Sequence, residues 1–172
     1  MNKKGIAIVV ALLVILLPVI YWKLGGFNPI QVYLEEQQNI KLLGLRYRGT
    51  PQDPGMTGTF REIEKLLGNY PDSRLHTLYF VEPAGKLDTL EVFVGLAFHS
   101  DIANQEALEV LEVECRQVIV ARLDAHRLVM PSPEKVKGEI ETFAKSNGLS
   151  TQGLYIDKIL DERRVEVYAP IK

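Results

Sequence analysis

VEVYAPI at 165–171 repeats, 75 residues on, the pattern LEVFVGL at 90–96, so that Leu90, Glu91, Val92 and Phe93 fall on Val165, Glu166, Val167 and Tyr168. Apolar and polar side chains alternate in both, the period of a strand with one face buried and the other carrying something polar. Val92 and Val94, like Val165 and Val167, belong to the covered face. Glu91 with Phe93, and Glu166 with Tyr168, belong to the other. Outward from these strands the likeness continues at an offset of 76: LYF at 78–80 falls on LYI at 154–156, and LGLRY at 43–47 on IVARL at 119–123, with Arg46 on Arg122. Three segment matches in order at nearly one spacing, with Arg46 on Arg122 inside one of them, point to an internal duplication.

The remaining strands are expected near 31–36, 40–48, 75–82, 89–98, 110–115, 117–125, 152–160 and 164–171, with a helix between the second and third strand of each copy. In the first copy Thr59 with Glu62 resembles a capping box, Phe60, Ile63 and Leu67 form an apolar stripe, and Gly68 is a natural stop. In the second, Ser132 and Pro133 suit the cap and first helical position, Val136, Ile140, Phe143 and Ala144 make one face, and Asn147 with Gly148 ends it. The expected class is α+β. Two βαββ repeats, about 31–98 and 110–172, form a curved antiparallel sheet with helices on one face and a central cleft, and 100–112 connects them. If the two sheets join and curve, Glu91, Phe93, Glu166 and Tyr168 line a shared cleft.

Ahead of this domain, GIAIVVALLVILLPVIYW at 5–22 carries no charge and follows two lysines. Eighteen helical residues reach roughly 27 Å, enough to span a hydrocarbon core. The expected division is a short basic N-terminus at 1–4, a transmembrane anchor at 5–24, a linker at 25–30 and one domain at 31–172. A cleaved signal peptide is the competing reading, disfavoured because YWKLGGFNP lacks a small-x-small cleavage pattern. Lys3, Lys4 and the terminal amine outweigh Lys23, which places the N-terminus in the cytoplasm and the domain outside it. Residues 24–172 hold 17 basic and 22 acidic side chains, a net −5 that suits neither nucleic acid nor anionic lipid. Cys115 is the only cysteine, which excludes an intrachain disulfide and a zinc site built on cysteine pairs. His76, His99 and His126 have no metal-site spacing, and no HExxH, phosphate loop or GxSxG is present, so neither metal nor cofactor is expected.

LYFVEP with LEVFVGLAF in the first copy, and GLYIDKIL with VEVYAPI in the second, resemble the GyrI-like, or bacterial effector-binding, domain over about 31–172. With the N-terminal anchor, the chain is similar to the membrane-anchored branch that includes the animal reticulophagy receptor. That receptor's role is expected not to carry over, because no long disordered tail follows the domain in this sequence. The resemblance implies two repeats around a cleft that accepts small molecules, with an acid and aromatic rings receiving a lipophilic cation. Glu166 with Tyr168 stands at the matching position, Tyr79 and Tyr155 are candidates for the cleft wall, and Glu91 with Phe93 is the counterpart in the other copy. A carboxylate in a partly apolar cleft is costly unless paired, so a cation offsets that cost, and an aromatic face adds about 0.5–2 kcal/mol. The plainer reading pairs Glu91 with Arg46 and Glu166 with Arg122 on a wet sheet face. The expected function is a membrane-anchored module, not an enzyme, that binds a small hydrophobic or cationic ligand. A ligand-free interaction scaffold and a hydrolase using Glu166 as general base are the alternatives.

Overall fold

The computed structural model describes residues 3–82, 85, 88–100 and 107–172, with backbone alone at 3–11 and 13. Helix α1 (Lys3–Lys23) precedes β1 (Gln31–Glu36), β2 (Ile40–Gly49), α2 (Pro54–Leu67), β3 (Leu75–Val81) and β4 (Leu90–Ala97). Then follow β5 (Glu109–Val113), β6 (Gln117–Asp124), α3 (Pro133–Ser146), β7 (Ile156–Ile159) and β8 (Arg164–Pro170). Among the described residues the strands form one antiparallel sheet in the order β1-β6-β8-β7-β3-β4-β2-β5. The two copies meet where β3 pairs with β7, and read outward from that seam their strand orders mirror one another.

The leading strands are exchanged. β1 pairs with β6 of the second copy, and β5 with β2 of the first, so neither copy completes its own half of the sheet. The register also corrects the alignment of the copies. Leu78 pairs with Phe93, Ile156 with Tyr168, and Leu78 with Ile156 across the seam, which makes Ile156 the counterpart of Leu78 and Asp157 that of Tyr79. Likewise Arg48 faces Glu91 as Arg122 faces Glu166, so Arg48, not Arg46, corresponds to Arg122. Sliding a strand by two residues keeps every side chain on its face, and short apolar matches cannot register such a slip.

Helices α2 and α3 cover one face. α2 packs on β2, β3 and β4, burying Ile63 against Leu43, Leu90, Val92, Val94 and Leu96. α3 packs on β6 and β1, burying Val136, Ile140 and Ala144 against Ile119, Ala121, Leu123 and Val167. Among the described residues no helix covers the other face, yet Leu42, Leu78, Phe93, Val118, Val120 and Ile156 are buried there in one cluster. Leu42 on β2 and Val120 on β6 lie on strands far apart in the sheet, so the sheet curls on itself to bring them together. At the facing pair Gly44 and Gly95, a Cβ would strike backbone of the neighbouring strand, and the bareness of the pair permits the close approach. The turns before β2 and β6 also touch, with Gln37 N–H donating to the Arg116 carbonyl and Cys115 N–H to Asn39 Oδ1.

α3 begins where Ser132 and Pro133 were expected to start it, the Ser132 hydroxyl accepting from Lys135 N–H. α2 begins earlier than expected. Its cap is Asp53, which accepts from Gly55 N–H at 2.7 Å with Pro54 following, while Thr59 lies inside the helix and donates to the Gly55 carbonyl. Asp-Pro is itself a strong start signal, and it replaces the expected capping box. Of the connecting stretch 100–112, residues 101–106 lie outside the described residues, and β5 starts at Glu109. Side chains of α1 are described at 12 and 14–23, and among the described residues no helix is long and apolar enough to cross a membrane.

Candidate functional site: an acidic, tyrosine-walled hollow beside helix α3

Side chains of β3 and β7 point alternately to the two faces of the sheet, which decides what can meet at the seam. Leu78 and Ile156 enter the curled face. Thr77 with Asp157, a register pair, and Tyr79 with Tyr155, flanking the Leu78–Ile156 pair, turn toward the helices. There α3 covers its own half and leaves the seam open. The result is a hollow of about 350 Å³ lined by Tyr79, Glu82, Pro133, Glu134, Val136, Lys137, Tyr155, Asp157 and Val167.

Asp157 is the feature that sets the chemistry here. Its carboxyl has no ion-pair partner within salt-bridge distance among the described residues, and the Thr77 hydroxyl is its hydrogen-bond donor. Burial pushes its pKa up from 3.8 to about 6, Glu82 adding to the rise and Lys137 opposing it. Lys137 is engaged elsewhere, paired with Glu82 and held 5.0 Å from the centroid of the Tyr155 ring. Burial and Glu141 push the Tyr155 hydroxyl up to about 12, so it stays protonated and donates to Glu141 Oε1 at 2.7 Å. Glu141 also accepts from Thr151, which locks the ring as a wall. The Tyr79 hydroxyl is likewise raised by burial. The hollow thus presents two aromatic walls and three carboxyl groups against one lysine.

Glu166 and Tyr168 lie on the other side of the sheet, so the cleft expected to hold all six candidate residues is two places. A strand's alternation puts Tyr155 opposite Ile156, and Ile156 is on the same face as Tyr168. Glu166 is 5% exposed and saturated. Arg122 donates to Oε1 from Nε at 3.0 Å and Nη2 at 2.7 Å, Tyr168 donates to Oε2 at 3.1 Å, and Lys158 Nζ stands 3.4 Å from Oε2. Although burial works against it, these donors hold the carboxyl below its ordinary range. Glu91 is paired with Arg46 at 3.0 Å, and Arg46 is bound twice by Glu109 and stacked on Phe80. Phe93 is wholly buried in the cluster of the curled face.

A second hollow, about 460 Å³, opens on that curled face and includes Ile40, Leu42, Arg74, His76, Lys158 and Tyr168. His76 Nδ1–H donates to the Arg74 carbonyl, and burial lowers its pKa to about 4, so the ring is neutral. This lining is basic. Cys115 is buried with its thiol raised by burial, an unreactive state. Among the described residues no group of three or more acidic, histidine or cysteine side chains is placed to hold a metal.

Asp157 was missed by the sequence reading, although a signal existed. Asp is depleted in strands, and it stands inside LYIDKIL, whose apolar residues mark a central strand.

No family model and no curated protein matches the chain. Solved structures do. The EcmrR C-terminal domain aligns with a TM-score of 0.59 at 11% identity, over 83% of this chain and 98% of that one. A hydrolase from Listeria innocua aligns with 0.60 at 7% identity, over 88% and 98%. SAV2435 bound to tetraphenylphosphonium aligns with 0.51 at 10% identity, over 83% and 94%. The fold is shared with all three. At such identities nothing finer than the fold follows from them.

Proposed function

We propose that this chain is a small-molecule-binding module, and that its ligand is a lipophilic cation or protonated amine seated between Tyr79 and Tyr155 with its charge toward Asp157. The observation that carries this is a half-buried carboxyl without an ionic partner within salt-bridge distance among the described residues, placed in an aromatic hollow. A cation arriving there supplies the missing counter-charge and meets ring faces worth about 0.5–2 kcal/mol. Support also comes from the likeness to SAV2435, which binds tetraphenylphosphonium, and from the resemblance of the repeats to effector-binding domains. Glu166 is a poor receptor and a poor general base, since two cations and a hydroxyl already occupy its oxygens. The module is tethered by the uncharged run at 5–22, with the domain on the non-cytoplasmic side. α1 is one helix of 21 residues, and its described side chains from Val14 to Ile20 are exposed.

Calorimetry with tetraphenylphosphonium on the full chain in nonionic detergent tests the site. Asp157→Asn is expected to weaken binding about tenfold or more, roughly the 1.4 kcal/mol of one pKa unit, and Glu166→Gln to leave it unchanged. Protons compete with the cation for Asp157, so affinity falls about tenfold between about pH 7.5 and about pH 5. Binding indifferent to Asp157→Asn removes the carboxyl from the site. A fusion of a fluorescent protein at Lys172 that glows in the cytoplasm overturns the orientation.

A further inference from the structure

The stretch after α1, expected to be a linker, is a clamp. Leu24 accepts from His126 N–H at 2.8 Å, and Asn28 Nδ2 donates to the Asp124 carbonyl at 2.6 Å. Gly25 adopts φ +83, and a Cβ there would lie 2.9 Å from the Asp124 oxygen, so only glycine lets the turn press this close. The segment joining β6 to α3 is therefore fixed against the end of α1 and turns back along it. Val129 shares an almost wholly apolar hollow of about 440 Å³ with Leu17, Pro18, Ile20, Tyr21, Leu24 and Phe27. From Leu24 back to Leu17 an α-helix rises roughly 10 Å. Val129 is thus held beside the part of the helix that lies below Tyr21 and Trp22.

At the tip, Leu128 is 76% exposed and Phe27 66% exposed, the two most exposed large apolar side chains outside α1 among the described residues. Both flank the hollow or its neighbour Val129. Phe27 shares the hollow with the exposed Leu17 and Ile20 of α1, Leu128 adjoins Val129 of the same hollow in the chain, and the exposed basic residues Lys23 and Arg127 adjoin Leu24 and Leu128 in sequence. A patch of this make-up on a water-facing domain would be an aggregation liability, while at a bilayer interface each part has a match: acyl chain for Leu128 and Val129, phosphate for Arg127 and Lys23.

We propose that the segment 126–130 is a second membrane-contacting element, which inserts Leu128 and Val129 beside α1 and takes a phospholipid acyl chain into the hollow against Leu17 and Phe27. The proposal rests on reading α1 as the tether, and it adds that the domain lies against the bilayer in one orientation and does not swing on a linker. This orientation is set by the three clamp contacts at Leu24, Gly25 and Asn28, none of which involves the ligand hollow.

The full chain in phosphatidylcholine vesicles, with and without lipids brominated on the upper acyl carbons, tests both levels. Native protein reports on Trp22, and Leu128→Trp in a Trp22→Phe background reports on the segment. The two indoles should be quenched to within about a factor of two of each other, as side chains held at one interfacial depth must be. A quenched Trp22 beside an unquenched indole at 128 overturns the inference and leaves the tether standing. Quenching at neither site overturns both. Blue-shifted but unquenched emission from position 128 means that protein, such as a second copy, covers the patch, and this also overturns the lipid assignment. Leu128 is exposed, so its replacement carries no burden on folding.

Discussion

Two carboxyl groups on neighbouring strands show how environment assigns opposite roles to similar side chains. Asp157 has a pKa raised above its ordinary value, so its ionisation opposes folding: its contribution is most favourable below 3.8 and is lost as pH rises through about 6. Asp157→Asn should therefore stabilise the protein near neutral pH, by on the order of 1–3 kcal/mol, and make no difference below about pH 4. Thermal melts of both proteins across that range check it, and an equal effect at both ends would show that the carboxyl is solvated. Glu166 behaves in the opposite sense. Its pKa is lowered, so its contribution is present above the ordinary 4.5 and is lost as pH falls below that. Glu166→Gln leaves Arg122 and Lys158 facing one another beside Tyr168, and a loss of about 1–3 kcal/mol at neutral pH is expected in denaturant titrations. A neutral outcome would mean that the two cations find water as readily as they find the glutamate. The sequence made Glu166 legible because alternation exposed a carboxylate beside a tyrosine. It hid Asp157 because a single acid in an apolar strand carries no sign of whether a partner awaits it.

At the scale of the element, strand faces were read correctly wherever one side is buried, as at Val92, Val94, Val165 and Val167. Register was not, because the copies slipped by two residues at β3 with β7 and at β2 with β6, and such slips leave the faces intact. What a two-residue slip does change is the partner across the strand, and this is why Tyr79 was matched to Tyr155 when its counterpart is Asp157. Helix starts divided in the same way: Ser132 and Pro133 were adjacent to a clear apolar stripe, whereas Asp53 and Pro54 stand ahead of GMTG, which has too little apolar period to announce a helix. The caps should now be equal in weight. Asp53→Ala and Ser132→Ala are each expected to lower stability by about 1 kcal/mol, measured by urea denaturation with an unchanged slope. If Thr59→Ala instead costs more than Asp53→Ala, the start of α2 has been misplaced.

At the scale of the molecule, the exchange of β1 and β5 makes the duplication something other than two domains side by side. The first copy lacks an edge partner for β2 without β5, and the second lacks one for β6 without β1. The curled face compounds this, since Ile40, Leu42, Leu78 and Phe93 from one copy and Val113, Val118, Val120 and Ile156 from the other are buried in a single cluster. Separating the copies would expose these side chains, each worth about 1.5–3 kcal/mol when buried, a loss larger than the whole stability of an ordinary domain. Residues 25–100 and 107–172 expressed apart should therefore be largely unfolded by circular dichroism and amide exchange. Mixed, they should associate and recover the spectrum of the intact domain, because every strand of the sheet would again find its neighbour. Either half folding alone, with protected amides in β2 or β6, would show that the exchanged strands are dispensable. The hollow at Asp157 gives the same experiment a second readout, since Tyr79 and Glu82 come from one half and Lys137, Tyr155 and Asp157 from the other. Tetraphenylphosphonium should bind the recombined pair and neither half, and binding to residues 107–172 alone would move the site wholly onto the second copy.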